Sequence, residues 1–244
     1  MSQYDWLATV TGNTVFTVFD TETTGLNPKQ NRVVEIGAIR FDRNGIVSRF
    51  SLLIDPGVLI PPEVTRINNI TDAMLKGQPE PKVVYPDFIR FIGDSILIAH
   101  NAPFDVDFVN EELARLALPR LKNRIVDTRI LAKEVFPGLP KYALQDLAVR
   151  FNIQAVDAHR AEDDSRVCME LFLVCLARLK ELKGIPTSPP DSAVQTKNAG
   201  SIAAKKPEQE VQRPGSDSLF DDETGTDMLE EEYEEDEFTD ESMM

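Results

Sequence analysis

The chain has 244 residues, with 41 acidic against 26 basic side chains and a net charge of −15. No apolar run approaches the roughly 18 residues of a membrane span, and the opening MSQYDWLATVTGN lacks a basic stretch followed by an apolar core. A cytoplasmic protein with no secretory leader and no membrane contact is therefore expected. The net charge at first argues against nucleic acid, but its distribution does not. Residues 1–183 hold 22 basic and 24 acidic side chains, and residues 184–244 hold 4 and 17. The acidity belongs mostly to the tail, which leaves room for a basic patch facing a phosphate chain.

In chain order, Val15–Asp20 is a nearly all-apolar strand, the pattern of a strand covered on both faces. Val33–Phe41 and Ile46–Ile54 are rich in β-formers and meet at Arg43-Asn44-Gly45. Asn-Gly there predicts a hairpin turn with both residues at positive φ. Pro61 and Pro62 break the chain, and a helical stretch follows to about Leu75. Val83–Ile92 is predicted helical and Ile96–Ala99 a short buried strand. Phe104, Phe108, Val109, Leu113 and Leu116 form one stripe of a helix over Pro103–Leu116. Ile125–Asp127 is a candidate short strand, and Leu144–Val149 and Asp163–Lys183 close the domain as helices. Cys168 and Cys175 share a stripe of the last helix, too far apart for a disulfide, and are expected to be reduced core residues. Three strands followed by alternating helices and strands predict an α/β fold, a mixed sheet with helices on both faces.

The domain is expected to span 1–183. Residues 184–244 run from Pro/Ser-rich to strongly acidic around EEEYEEDEFTDE. They hold too little apolar surface to offset the entropy of ordering, so a disordered tail is expected.

Three clusters carry candidate chemistry. In VFDTETTG the apolar strand runs into Asp20 and Glu22, which face one side because side chains alternate along a strand. Two close carboxylates in an apolar setting repel each other, and a divalent cation such as Mg²⁺ or Mn²⁺ would remove the conflict. The plain alternative is a pair of acids entering a solvated loop. In IAHNAPFD, Asp105 falls in the first turn of a helix, where an acid is favoured by the helix dipole whatever its role. His100 is equally well read as a satisfied core or loop histidine. In HRAEDDSRVCMELFLVC, Asp164, Cys168, Leu171 and Cys175 share one helix face. Asp164 thus points with the buried stripe and must pair or bind metal, with His159 in the loop before it.

Together FDTETTG, HNAPFD and HRAEDD resemble, in order and spacing, the three motifs of the DEDDh 3′→5′ exonucleases, over about Val15 to Leu176. The likeness is strongest to the proofreading exonucleases of bacterial replicative DNA polymerases. It implies a ribonuclease H-like fold with a five-stranded sheet. It also implies that Asp20, Glu22, Asp105 and Asp164 hold two divalent metal ions, and that His159 is the general base. The products would be nucleoside 5′-monophosphates released from DNA 3′ ends. The family further suggests that Thr21, Thr23 and the loop through Leu26 hold the terminal nucleotide, with Asn101 supporting the site; loop and strand packing explains these residues equally well. Where relatives often have Ile-His-Gly-Ile-Thr, this chain has Ile67-Asn68-Asn69-Ile70-Thr71. Asn68 can donate a hydrogen bond but carries no charge, which bears on substrate preference.

In the tail, Ser216-Asp217-Ser218-Leu219-Phe220 resembles the sliding-clamp peptide Gln-Leu-(Ser/Asp)-Leu-Phe, with Ser216 and Asp217 departing from it. The Leu219–Phe220 pair reads either as a clamp anchor or as a chance apolar pair. The expected partners are a frayed or single-stranded DNA 3′ end, a replicative polymerase subunit and the clamp. Two rivals remain at this level. One is an enzyme acting on RNA 3′ ends or short oligoribonucleotides. The other is a non-catalytic interaction module working through the tail, which the intact set of four acids and His159 argues against.

Overall fold

A computed structural model describes residues 3–10, 12–156 and 159–186. The expected tail, with Leu219 and Phe220, lies outside the described residues.

Five strands form one mixed sheet in the order β3-β2-β1-β4-β5. They are β1 (Phe16–Thr23), β2 (Val33–Asp42), β3 (Gly45–Leu53), β4 (Ile96–Ala99) and β5 (Ile125–Asp127). The first three are antiparallel, while β4 and β5 run parallel to β1. This ribonuclease H-like sheet matches the expected class. The hairpin between β2 and β3 forms, but of Asn44 and Gly45 only Gly45 takes positive φ, at 117°. The Asp42 carboxylate accepts the Asn44 N–H at 2.7 Å and closes the turn instead.

Helices cover both faces. On one side, Phe16 and Val18 of β1 and Ile39 and Phe41 of β2 pack against α5 (Thr128–Val135) and α7 (Ala161–Leu182). Phe16, Phe41 and Phe172 form an aromatic cluster there, with ring centroids 5.2 to 6.2 Å apart. On the other side, Phe19, Ile36 and Leu97 pack against α3 (Pro81–Ile92) and α4 (Ala102–Arg115). Each such side chain contributes about 1.5–3 kcal/mol by leaving water. Cys168 and Cys175 are buried and free. Among the described residues, no helix is long and apolar enough to cross a membrane.

Three elements differ from expectation. β1 continues through the acids to Thr23, because Thr21 and Glu22 still pair in register with Ile36 and Glu35 of β2. The stretch after Pro61 is two short helices, α1 (Pro62–Asn68) and α2 (Asp72–Leu75), separated by Asn69 in the left-handed region at φ 57°. Helix α5 was not foreseen; Asp127 starts it by accepting the N–H groups of Arg129 and Ile130. The last described helices are α6 (Leu144–Arg150) and α7.

Candidate active site

The apolar face of β1 changes character along its length. Phe16 and Val18 lie in the core under α7, and Asp20 and Glu22 continue the same face at the strand end. Asp105 comes from the first turn of α4 and Asp164 from the first turn of α7. Parallel β4 delivers α4, and α7 crosses the sheet above β1 and β2, so all three motifs meet at the ends of β1 and β4.

The acids converge. Ligating atoms of Glu22, His159 and Asp164 lie within 4.8 Å of one another. Burial is the main force on all four carboxyls, and repulsion from nearby carboxylates adds to it. Asp20 is held well above the usual carboxylate range by burial, then by the charges of Asp105, Asp164, Glu22 and Glu35. Glu22 is pushed up to about 8 by burial, then by Asp164 and Glu35. Burial pushes Asp105 to about 7 despite hydrogen bonds from Thr21. Asp164 is raised by burial and partly relieved by His159 and Gln145. A cluster that resists ionisation this strongly calls for added positive charge among its oxygens. Its all-oxygen carboxylate set, with one imidazole beside it, fits a hard divalent cation.

Neighbours hold three of the four acids in place. Asp105 Oδ1 accepts from the Thr21 N–H and hydroxyl. Gln145 Nε2 donates to Asp164 Oδ1 at 2.8 Å, and the His159 N–H to Asp164 Oδ2 at 3.1 Å. The Asn68 side chain, 1% exposed, hydrogen-bonds Glu22 while its Oδ1 accepts the Ile70 N–H. His159 itself is exposed and sits in the left-handed region at φ 64°.

The other expected substrate contacts are distributed around this cluster. Thr21 is occupied with Asp105, and the Thr23 hydroxyl donates to the Gly25 carbonyl at 2.7 Å, so both threonines shape the site from within. Leu26 is 84% exposed at the tip of the loop after β1. Arg115 ties that loop to α4 by donating to the carbonyls of Pro28, Lys29 and Asn31, and shares the buried Glu112 with Arg32. Asn101 is exposed at the start of α4 in the left-handed region. His100 is structural: Nδ1 meets the Thr128 hydroxyl and Nε2 the Tyr142 carbonyl, both at 2.9 Å, and burial lowers its affinity for a proton.

Sequence reasoning missed Gln145, Glu35 and Asp127. Asp127 accepts the N–H groups of Asn101 and Ala102 as well as those of α5, and so fixes the start of the helix that carries Asp105. Its place at the end of an apolar strand, three residues before an apolar pair, was the available signal for a helix cap.

Residues 17–172 match the profile of the exonuclease family RNase_T. A DNA polymerase III subunit epsilon from Treponema pallidum is 46% identical over 216 residues, covering 88% of this chain and 96% of the relative. A subunit of the same name from Aquifex aeolicus is 35% identical, over 67% of this chain and 81% of its own length. A PolC-type DNA polymerase III from Clostridium perfringens is 39% identical over 68% of this chain, which spans only 11% of that relative. Among solved structures, exonuclease X in complex with 5′ overhanging duplex DNA superposes with a TM-score of 0.53 at 28% identity, over 70% of this chain and 94% of that one. E. coli exonuclease I in complex with a dT13 oligonucleotide gives a TM-score of 0.62 at 18% identity, over 70% and 42%, a likeness of fold.

Proposed function

The chain belongs to the exonuclease family and is a 3′→5′ exonuclease, and from that premise we propose that it proofreads DNA as an epsilon-type subunit of a DNA polymerase III. The observation that carries the reading is the convergence of Glu22, His159 and Asp164 within 4.8 Å, with Asp105 buried and Asp20 half-buried beside them. In this proposal Asp20, Glu22, Asp105 and Asp164 hold two divalent cations, Mg²⁺ or Mn²⁺. Bound there, the ions would supply Lewis-acid stabilisation to the attacking and leaving oxygens of the phosphodiester.

The chain's own groups do the rest. The neutral His159 imidazole takes a proton from the attacking water. The water oxygen adds to the terminal phosphorus, the bond from phosphorus to the 3′ oxygen breaks, that oxygen takes up a proton from solvent, and a nucleoside 5′-monophosphate leaves a strand one residue shorter with a free 3′ hydroxyl. Gln145 and the His159 N–H keep Asp164 oriented, and Thr21 does the same for Asp105. The loop from Thr23 to Leu26, with Asn101 opposite, is proposed to receive the terminal nucleotide. An exposed leucine at a loop tip suits stacking against a base. On sequence grounds, Leu219–Phe220 is proposed as a clamp contact and residues 1–183 as the catalytic domain.

The test is nuclease activity of the wild type and Asp20→Ala with Mg²⁺ on 5′-labelled single-stranded DNA, a mispaired primer–template and single-stranded RNA. Faster loss of a mispaired than a paired DNA 3′ end, absent in the mutant, is the expected result. A strong preference for RNA would overturn the proofreading role and point to RNA 3′-end processing.

A further inference from the structure

Glu35 is a buried carboxylate next to the acid cluster that the chemistry above does not use. It lies on β2 in register with Glu22 of β1, 2% exposed, on the face that α7 covers. Both of its oxygens are engaged. Arg160 Nε donates to them at 3.3 and 3.2 Å, Arg160 Nη2 donates to Oε1 at 2.8 Å, and the Ala161 N–H donates to Oε2 at 3.1 Å. A burial this complete is tolerable only with such pairing. The planar guanidinium makes the contact directional as well as attractive.

The next inward-facing residue of β2 extends the same seat. A Cβ on Gly37 would overlap the backbone of Ala161 and Glu162. Ser165 Oγ donates to the Gly37 carbonyl at 2.8 Å. The first turn of α7 thus rests on the Glu35 carboxylate and, at Gly37, directly on the backbone of the sheet.

His159 immediately precedes this turn. Its imidazole is exposed, and its backbone occupies a conformation that side-chain-bearing residues seldom adopt. Such a backbone persists only where the surroundings impose it. Adjoining anchors among the described residues include its own N–H on Asp164 and the attachment of Arg160 and Ala161 to Glu35.

We infer that Glu35 is a positioning residue for the hydrolysis, holding the His159 imidazole beside the acid cluster through Arg160 and the start of α7. The inference rests on the assignment of His159 as the base. It differs from a purely structural role for Glu35 in one measurable way: the catalytic effect of Glu35 must pass through His159.

A double-mutant cycle tests this. The full chain is assayed with Mg²⁺ on a labelled single-stranded DNA oligonucleotide as wild type, Glu35→Gln, His159→Ala and the double variant, with thermal melts of each. Gln keeps an oxygen for the Ala161 N–H but loses the charge paired with Arg160. Glu35→Gln is expected to lower kcat about tenfold with KM changed less than about twofold. His159→Ala is expected to lower kcat by about 10²–10⁴, the range for one acid–base group. The double variant should be no slower than His159→Ala, within about twofold. Losses that multiply in the double variant, or a Glu35→Gln kcat within about twofold of wild type, would overturn the inference. Wild-type turnover by His159→Ala would instead overturn the base assignment itself. If Glu35→Gln does not fold, Arg160→Gln, at a partly exposed side chain, carries the same cycle with the same expected outcomes.

Discussion

Thr21 donates twice to one oxygen of Asp105: its N–H at 2.9 Å and its hydroxyl at 2.8 Å both reach Oδ1. Thr21 stands between Asp20 and Glu22, so the strand that carries two acids also holds the third. Both donors favour the ionised form of Asp105 and oppose the effect of its burial. Thr21→Val keeps the backbone donor and the shape but loses the hydroxyl. It should destabilise the fold by about 1 kcal/mol, the usual net worth of one hydrogen bond. It should also raise the Mg²⁺ concentration needed for half-maximal hydrolysis. An unchanged metal titration would show that the hydroxyl does not support Asp105.

The acid cluster links stability to pH. Burial, then Asp164 and Glu35, pushes Glu22 up to about 8, and burial pushes Asp105 to about 7. A carboxyl whose folded-state affinity for protons is raised favours folding while it is protonated. That contribution is complete below its ordinary range and is lost as pH rises through the folded-state value. The metal-free protein should therefore melt at progressively lower temperature between about pH 4 and pH 8. A divalent cation, which binds the ionised cluster, should restore most stability at the alkaline end. Melting curves in chelator and in Mg²⁺ across this range measure both effects; a chelator curve flat with pH would contradict the buried-acid assignment.

Asp20 is held well above the usual carboxylate range, by burial first and then by Asp105, Asp164, Glu22 and Glu35. Asp20→Asn removes one of the mutually repelling charges. The metal-free variant should melt at least as high as wild type at pH 8, while hydrolysis is lost. Retained wild-type turnover would remove Asp20 from the metal site.

Asn68 bears on Glu22. Its buried amide hydrogen-bonds that carboxylate and lowers its affinity for a proton. Asn68→Ala should therefore raise the Glu22 value further. The acidic limb of the pH–rate profile should then move to higher pH, and activity should need more Mg²⁺. A change in KM for DNA alone, with the pH profile unmoved, would assign Asn68 to substrate contact instead.

Much of the architecture was legible in the sequence because the evidence for it is local. The nearly all-apolar run from Val15 to Phe19 announces a strand covered on both faces, and Phe16 and Phe19 do lie in cores on opposite sides of the sheet. The spacing of Asp164, Cys168, Leu171 and Cys175 places an acid on the buried face of a helix, where the structure finds it. The same local reasoning ended β1 at Asp20, because polar residues close an apolar run. The strand goes on because β2 supplies partners for Thr21 and Glu22. Helix α5 was missed for a similar reason: it is eight residues long and is started by Asp127, which also caps α4 from outside it.

The chain by itself determined which residues could carry the chemistry: four acids and a histidine at motif spacing, on a scaffold set by hydrophobic periodicity. Only the tertiary structure decided what holds them. Glu35 meets Arg160, Thr21 meets Asp105, and Asn68 meets Glu22 across different elements of the fold. Periodicity reports the face on which a residue lies, because that depends on neighbours within a few positions. Pairing between distant side chains depends on how sheet and helices pack, which no short window of sequence contains.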